Sequence, residues 1–286
     1  MRDIGGSRGI LTIATGSDEY LMLANALLKS IRVNSPGIAV AIVTDRHDHP
    51  VTSRFDDVID VRPEFGSPFR QKLHLEQYAP FDETIYLDAD CLVYSALDWL
   101  WELFADTPAL GVVARRTPTP FWCHDLAVLP DEYKSSDYLE FNGGLYYIRR
   151  GASADALFAE ARDLHDRSTE LGLIRFGSEG GDEPPLALAL GRSGYEPPDD
   201  QGRGMRTPVA LAGRPKLNVA AGPARFTKWG TTVNPCVVHF AGGRWQSHVY
   251  RRQLLALRLI GRGMPRRMAA IVASSAFTTR SSVRGW

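Results

Sequence analysis

The sequence predicts an α/β fold in which a mostly parallel sheet is flanked by helices, and two observations carry that prediction. An apolar strand, an amphipathic helix and a second apolar strand follow one another over residues 10–43, which is the order of a right-handed βαβ unit. A β-branched and aromatic run over 84–87 then gives way at once to Asp88 and Asp90. Because ligands of such sheets bind beyond the carboxyl ends of the strands, these acidic residues are candidate functional groups.

The other elements follow from apolar periodicity and from the turn residues between apolar runs. Residues 115–140 are predicted to form a long loop, and no element is assigned over 192–234. The predicted strands are 10–14, 38–43, 58–61, 84–87, 110–114, 145–148 and 237–240. The predicted helices are 20–31, with its apolar face beginning at Tyr20, then 70–78, 97–104, 152–167, 185–190 and 250–262.

The composition excludes several classes of protein. The 286 residues are 44% hydrophobic and 23% charged, which is sufficient for a sizeable core. We expect neither secretion nor a membrane span, because the first residues lack the apolar segment of a signal peptide and no apolar run is long enough to cross a bilayer. The cysteines are odd in number and show no Cys-x-x-Cys spacing, which suits a reducing compartment; they are Cys91, Cys123 and Cys236. We therefore expect a cytoplasmic protein.

Charge is unevenly distributed along the chain. The 33 basic and 33 acidic residues balance, yet residues 249–286 contain eight Arg and no acidic residue. We therefore predict a main domain over 1–248 and a basic helical extension over 249–286. Arginines among apolar residues can lie on an anionic membrane surface, which would make the protein membrane-associated. The alternatives are packing on the acidic body and a homodimer contact. The acidic body predicts no nucleic-acid binding.

Asp88 and Asp90 allow two interpretations. Two carboxylates at the end of a buried strand are costly to desolvate without partners, and a hard divalent cation such as Mn²⁺ or Mg²⁺ would remove that cost. Alternatively, they lie in a solvated loop or cap the next helix.

Five segments follow one another along the chain in this order: 12–20, 72–74 together with 86–93, 141–144, 180–183 and 237–242. Together they resemble retaining sugar-nucleotide glycosyltransferases of the GT-A fold, close to the glycogenin-like branch of glycosyltransferase family 8. The resemblance implies a Rossmann-like, nucleotide-sugar-binding fold with a mixed, mostly parallel sheet, and transfer of a hexose from a UDP-sugar to an unknown acceptor. UDP-glucose and UDP-galactose are the donors it favours.

The same resemblance implies roles for individual residues. Asp88, Asp90 and His239 match metal ligands for Mn²⁺ or Mg²⁺, and Tyr20 matches an aromatic residue that stacks on uracil; otherwise Tyr20 is a core residue of its helix. The residues matched to catalytic positions at the sugar are Asp182, Glu179 and Glu183, with a helix cap as the alternative for Asp182. The donor-binding matches are Ala14, Thr15, Ser17, Tyr20, Lys72, Asp88, Ala89, Asn142, Gly143, Gly144, Gly242 and Arg244.

One departure from the family concerns the diphosphate. The family's Gly-x-x-Lys-Pro-Trp is replaced here by the shorter Gly-Gly-Arg-Trp of residues 242–245, and Arg244 takes the place of its lysine. Arginine can still hold a diphosphate bidentately. Two mechanisms stay open: double displacement with Asp182 as nucleophile, or a front-face route in which the leaving phosphate accepts the acceptor's proton. The alternative functions are a sugar nucleotidyltransferase and a non-catalytic sugar-nucleotide-binding protein.

Overall fold

The computed structural model describes residues 7–173 and 181–278. The chain divides into two compact units. The first contains described residues within 1–15, 39–87 and 101–199, and the second contains those within 16–38, 88–100 and 200–286.

Both units contain strands and helices. The strands are β1 (Arg8–Ile13), β2 (Ala39–Thr44), β3 (Asp57–Asp60), β4 (Glu83–Leu87), β5 (Cys91–Val93), β6 (Leu110–Gly111), β7 (Ala114–Thr117), β8 (Tyr138–Phe141), β9 (Leu145–Arg149), β10 (Met205–Arg206), β11 (Leu211–Lys216), β12 (Arg225–Lys228), β13 (Thr231–Val233) and β14 (Val237–His239). The helices are α1 (Asp18–Asn34), α2 (Pro68–Gln71), α3 (Leu75–Tyr78), α4 (Asp98–Leu103), α5 (Ala152–Asp166), α6 (Glu183–Arg192), α7 (His248–Ile260) and α8 (Arg266–Thr278).

A six-stranded mixed sheet organises the first unit. Its strand order is β3-β2-β1-β4-β9-β6, in which β1 to β4 are parallel and β9 runs antiparallel to both β4 and β6. The carboxyl ends of β1, β2 and β4 therefore lie at one edge of this sheet. The predicted α/β fold with a mixed, mostly parallel sheet is confirmed.

The core of the first unit lies between this sheet and its helices. Tyr86 and Tyr146 from adjacent strands share one buried cluster with Phe158 of α5 and Leu186 of α6. The long apolar faces of these helices fold against the sheet because that removes large aromatic and aliphatic surfaces from water. At Gly9 a Cβ atom would lie 2.3 Å from the Phe81 ring, so β1 needs glycine at this point.

Among its described residues, the second unit contains two small sheets and three long helices, α1, α7 and α8. One sheet has the order β10-β14-β5, and the other has the order β11-β12-β13. Helix α1 contacts β5, where the Val93 amide donates to Ser30 Oγ at 2.9 Å. Helices α7 and α8 pack on each other. Within the described ranges, no helix combines the length and apolarity that crossing a bilayer requires.

The single helix predicted over 70–78 is wrong. The segment forms α2, a 3₁₀ turn over Lys72–His74, and α3. The reason is tertiary: Arg162 of α5 donates to the Leu73 carbonyl oxygen at 2.8 Å and to Glu76 Oε1 at 2.7 Å. A charged donor from another helix thus occupies a carbonyl in the middle of the segment.

Three further predictions are corrected. The strand predicted over 110–114 is divided between β6 and β7, and β7 pairs with β8, so both ends of the loop predicted over 115–140 are strands. The region 192–234, for which no element was assigned, contains four short strands. Tyr20 is 50% exposed on α1 and does not belong to its buried face.

Candidate functional site

Asp88 and Asp90 converge on His239 in the second unit. His239 Nε2 lies 2.9 Å from Asp90 Oδ1 and 3.4 Å from Asp88 Oδ2. Backbone bonds hold this arrangement, because the Cys91 amide donates to the Asp88 carbonyl oxygen and the Phe240 amide donates to that of Asp90. Residues that are far apart in the sequence thus form one mainly buried group of two carboxylates and an imidazole.

Cys91 belongs to the same group, although the sequence assigned it no role beyond that of a cysteine in a reducing compartment. It lies opposite His239 in the antiparallel pairing of β5 with β14, and directly opposed residues share a face of the sheet. Ligand atoms of Asp90, Cys91 and His239 all lie within 4.8 Å of one another. Carboxylate, imidazole and thiol donors converging in this way suit a divalent transition-metal ion. The register of β5 on β14, which reveals Cys91, has no signal in the sequence.

Tyr250 of α7 lies next to this group. Its ring packs edge-on against Phe240 with centroids 4.8 Å apart. Burial raises the pKa of Tyr250 well above its ordinary value, and the nearby Asp90 carboxylate raises it further. Tyr250 therefore stays neutral beside the acidic group.

A second polar group surrounds Asp182 in the first unit. Asp182 is a buried residue with 5% exposure. Its carboxylate accepts a hydrogen bond from the Tyr146 hydroxyl at 2.5 Å and lies 3.2 Å from Lys72 Nζ. The ammonium also lies over the rings of Tyr86 and Tyr146, 5.5 and 5.8 Å from their centroids. Asp182 occupies the N-cap position of α6, yet its carboxylate bonds these side chains instead of capping the helix. Sequence reasoning missed Tyr146, which reads as an ordinary strand residue.

Glu183 and the glycine segment complete this polar group. Glu183 Oε1 accepts hydrogen bonds from the Gly143 amide at 2.8 Å and from Asn142 Nδ2 at 3.4 Å. Asn142 Oδ1 accepts from the Gly144 amide at 3.2 Å. The structure therefore brings together six predicted residues, which are Lys72, Asn142, Gly143, Gly144, Asp182 and Glu183.

The remaining predicted donor residues lie on several elements. Ala14 is buried, and its amide donates to the Val43 carbonyl oxygen; Thr15 follows it. Ser17 precedes α1.

The other predicted donor residues lie near the acidic residues or after His239 in the sequence. Ala89 is buried in the turn between Asp88 and Asp90. The Arg244 guanidinium donates to the Ala241 carbonyl oxygen at 3.4 Å. Gly242 has a φ of +65°, a conformation that favours glycine. Glu179 lies outside the described residues.

Many solved structures resemble this chain, and three of them illustrate the likeness. One is the galactosyltransferase LgtC in complex with donor and acceptor sugar analogues, with 17% identity, 94% of this chain and 96% of that chain covered, and a TM-score of 0.55. An active-site mutant of LgtC is 19% identical, with 82% of this chain and 88% of that chain covered and a TM-score of 0.53. The apo form of mouse xyloside xylosyltransferase 1 is 13% identical, with 83% of this chain and 99% of that chain covered and a TM-score of 0.52. At these identities the likeness concerns the fold, which is the GT-A fold of glycosyltransferases.

No protein-family model matches the sequence, and a comparison with curated proteins finds no match.

Proposed function

We propose that this protein is a metal-dependent retaining glycosyltransferase that moves a hexose from a UDP-sugar to an acceptor hydroxyl. The observation that carries this function is the convergence of Asp88 and Asp90 on His239. The GT-A fold supports it, because that fold is shared with the transferases described above.

The residues of the acidic group would hold the metal. Asp88, Asp90 and His239 are the proposed ligands, and Mn²⁺ suits their mixture of oxygen and nitrogen donors. When bound, the ion supplies positive charge that stabilises the leaving diphosphate.

The group around Asp182 would act on the transferred sugar. In the reaction the bond between the anomeric carbon and the diphosphate oxygen breaks, and the acceptor oxygen forms the new bond to that carbon. The acceptor's proton passes to the leaving phosphate in the front-face route. Lys72 and Tyr146 both bond the Asp182 carboxylate, which lowers its nucleophilicity and favours this route over double displacement. Asp182 would then stabilise the positive charge that develops on the sugar.

The test is a panel of nucleotide sugars incubated with Mn²⁺, with and without a chelator. We expect release of UDP from UDP-glucose or UDP-galactose, slow with water and faster with an added sugar acceptor, and loss of release with the chelator. The product's anomeric configuration, read by NMR, should match that of the donor. Binding of UDP-sugars without any release would indicate a non-catalytic binding protein instead.

We further propose that α8 rests on an anionic membrane surface. Its buried face is made of small residues, Ala269, Ala270 and Ala273, while Met268 and Ile271 are exposed on another face. Large apolar side chains exposed among arginines fit a surface that is apolar beneath and negatively charged at its headgroups.

Vesicle co-sedimentation of the full chain tests this contact. Wild-type protein should pellet with phosphatidylserine-containing vesicles and not with neutral phosphatidylcholine vesicles, and Ile271→Asp should reduce pelleting by about tenfold through lost apolar burial and added repulsion. Val128→Asp, at an exposed apolar position of the first unit, is the matched control and should pellet normally. If Ile271→Asp pellets with the anionic vesicles as much as the wild type does, the membrane contact is excluded. If the substitution changes only the mass of the protein in sedimentation without vesicles, Ile271 belongs to a homodimer contact instead.

A further inference from the structure

A groove lies between helices α1 and α7 of the second unit. The two helices contact each other, and the cavity along this contact has a volume of about 360 Å³. Its lining residues come from these helices and from the 3₁₀ turn that precedes α7, which includes Trp245. Cavities of roughly 300–1,000 Å³ are typical of binding sites for small ligands. The groove therefore has the size of such a site.

The floor of this groove is apolar. Helix α1 contributes Leu23 and Ala26, and α7 contributes Tyr250 and Leu257, all of which are buried. Residues three, four and seven positions apart lie on one face of a helix, so each helix turns a continuous apolar stripe toward the groove. Met22 also lines the groove, yet it is 50% exposed. A large apolar side chain exposed beside an apolar floor indicates that an apolar group covers it.

The same groove carries excess positive charge. Among the described residues, its charged lining consists of three cations and one acidic residue, which are Lys29, Arg251, Arg258 and Glu19. Arg251 and Arg258 are exposed, and neither forms an ion pair within residues 7–173 and 181–278. They are about two helical turns apart on α7 and therefore share one face of it. These arginines are available to a negatively charged ligand.

We infer that this groove binds one acyl chain and the phosphate headgroup of an anionic membrane lipid. The apolar floor removes the chain from water, and the guanidinium groups, which bind phosphate bidentately, hold the headgroup. A peptide helix suits the groove less well, because it needs anchor positions along several turns and the cavity has the volume of a small-ligand site. The inference rests on the membrane contact proposed for α8 only for the source of the lipid, since α8 packs on α7.

Calorimetric titration of the full chain with dodecyl phosphate, kept below its critical micelle concentration, tests the inference. Arg258→Gln should raise the Kd by about tenfold or more, as expected for loss of one charged hydrogen-bond donor. Leu254→Gln, which places an amide in the lining between the two arginines, should weaken binding to a similar extent. Arg262→Gln is the matched control, since Arg262 is an exposed arginine just beyond α7 that is not among the lining residues, and it should bind normally.

Three further probes separate the contributions of the chain and the headgroup. Inorganic phosphate has no chain, and dodecylphosphocholine has a zwitterionic headgroup, so both should bind at least about tenfold more weakly than dodecyl phosphate. Dodecanoate has the chain but a carboxylate in place of the phosphate, and it should also bind more weakly. None of these titrations needs a metal ion or a UDP-sugar, so their results do not depend on the proposed transferase function.

Several outcomes would overturn the inference. Wild-type affinity of folded Arg258→Gln and Leu254→Gln for dodecyl phosphate would exclude the groove as the binding site. If Leu254→Gln does not fold, Arg251→Gln replaces it. Equal binding of dodecylphosphocholine would refute recognition of an anionic headgroup, and equal binding of dodecanoate would identify a fatty acid as the occupant instead. Arg258-dependent binding of dodecyl phosphate without pelleting on vesicles would refute the α8 contact alone, whereas normal pelleting without any binding of dodecyl phosphate would refute this inference alone.

Discussion

Asp88→Asn should abolish metal-dependent sugar transfer and leave the fold intact. The amide has nearly the same shape as the carboxylate, and the backbone bond from the Cys91 amide to the Asp88 carbonyl oxygen is not affected. The substitution removes one negative charge 3.4 Å from His239 Nε2, so the affinity for a divalent ion falls. We expect kcat/KM to fall by about a hundredfold or more at fixed Mn²⁺, the scale of losing one electrostatic group of a transition state.

Turnover against Mn²⁺ concentration and the melting temperature measure this effect. Asp98→Asn is the matched control, since Asp98 is an exposed aspartate at the start of α4 in the same unit, and it should behave as wild type. Near wild-type turnover of Asp88→Asn would contradict the metal assignment. A large drop in melting temperature would instead show that Asp88 is mainly structural.

Gly143→Ala should disrupt the group around Asp182. A Cβ atom at this position would lie 2.5 Å from Asp182 Oδ2 and 2.7 Å from the Tyr146 hydroxyl. Neither contact is tolerable, so the carboxylate must move away from Tyr146 and Lys72. We expect kcat to fall by about a hundredfold, because small displacements of a positioned group are that costly, and stability to fall by about 1–3 kcal/mol through overpacking.

Steady-state kinetics and denaturant unfolding would separate the two effects of Gly143→Ala. Its metal affinity should stay at the wild-type value, because the groups that the added Cβ atom would meet, Asp182, Tyr146 and Glu183, include none of the predicted metal ligands. Gly191→Ala is the matched control: it lies in α6, an added Cβ has nothing within 4 Å, and alanine should stabilise the helix by about 0.5–1 kcal/mol. Unchanged kcat in Gly143→Ala would show that the carboxylate's position does not matter for transfer.

The fold was predictable where local pattern and tertiary environment agree. Strands β1, β2 and β4 are continuous apolar runs because they are buried on both faces, and such runs are visible in any sequence. Helix α5 was likewise predicted almost to its ends. The strands of 205–233 were not, because β11 contains Gly213 and Pro215 and is formed only by pairing with β12.

The candidate site was predictable in part. The sequence matched Asp88, Asp90 and His239 to metal-ligand positions because the segments that contain them follow the order found in the family. Their roles remain predictions. Cys91 and Tyr146 were not found, since a cysteine or a tyrosine is ordinary at its position until its neighbours are known. The helix interruption at Lys72–His74 was missed for the same reason, because Arg162 lies on another helix.

The sequence by itself determined the α/β class, the position of the two aspartates at the end of a buried strand, and the basic character of the last 38 residues, 249–286. These properties depend on residues that are neighbours along the chain. The tertiary structure alone decided that the Cys91 thiol joins those aspartates and His239, and that the Tyr146 hydroxyl bonds the Asp182 carboxylate. Strand register and burial set these distances, and both result from packing between segments that no local pattern relates.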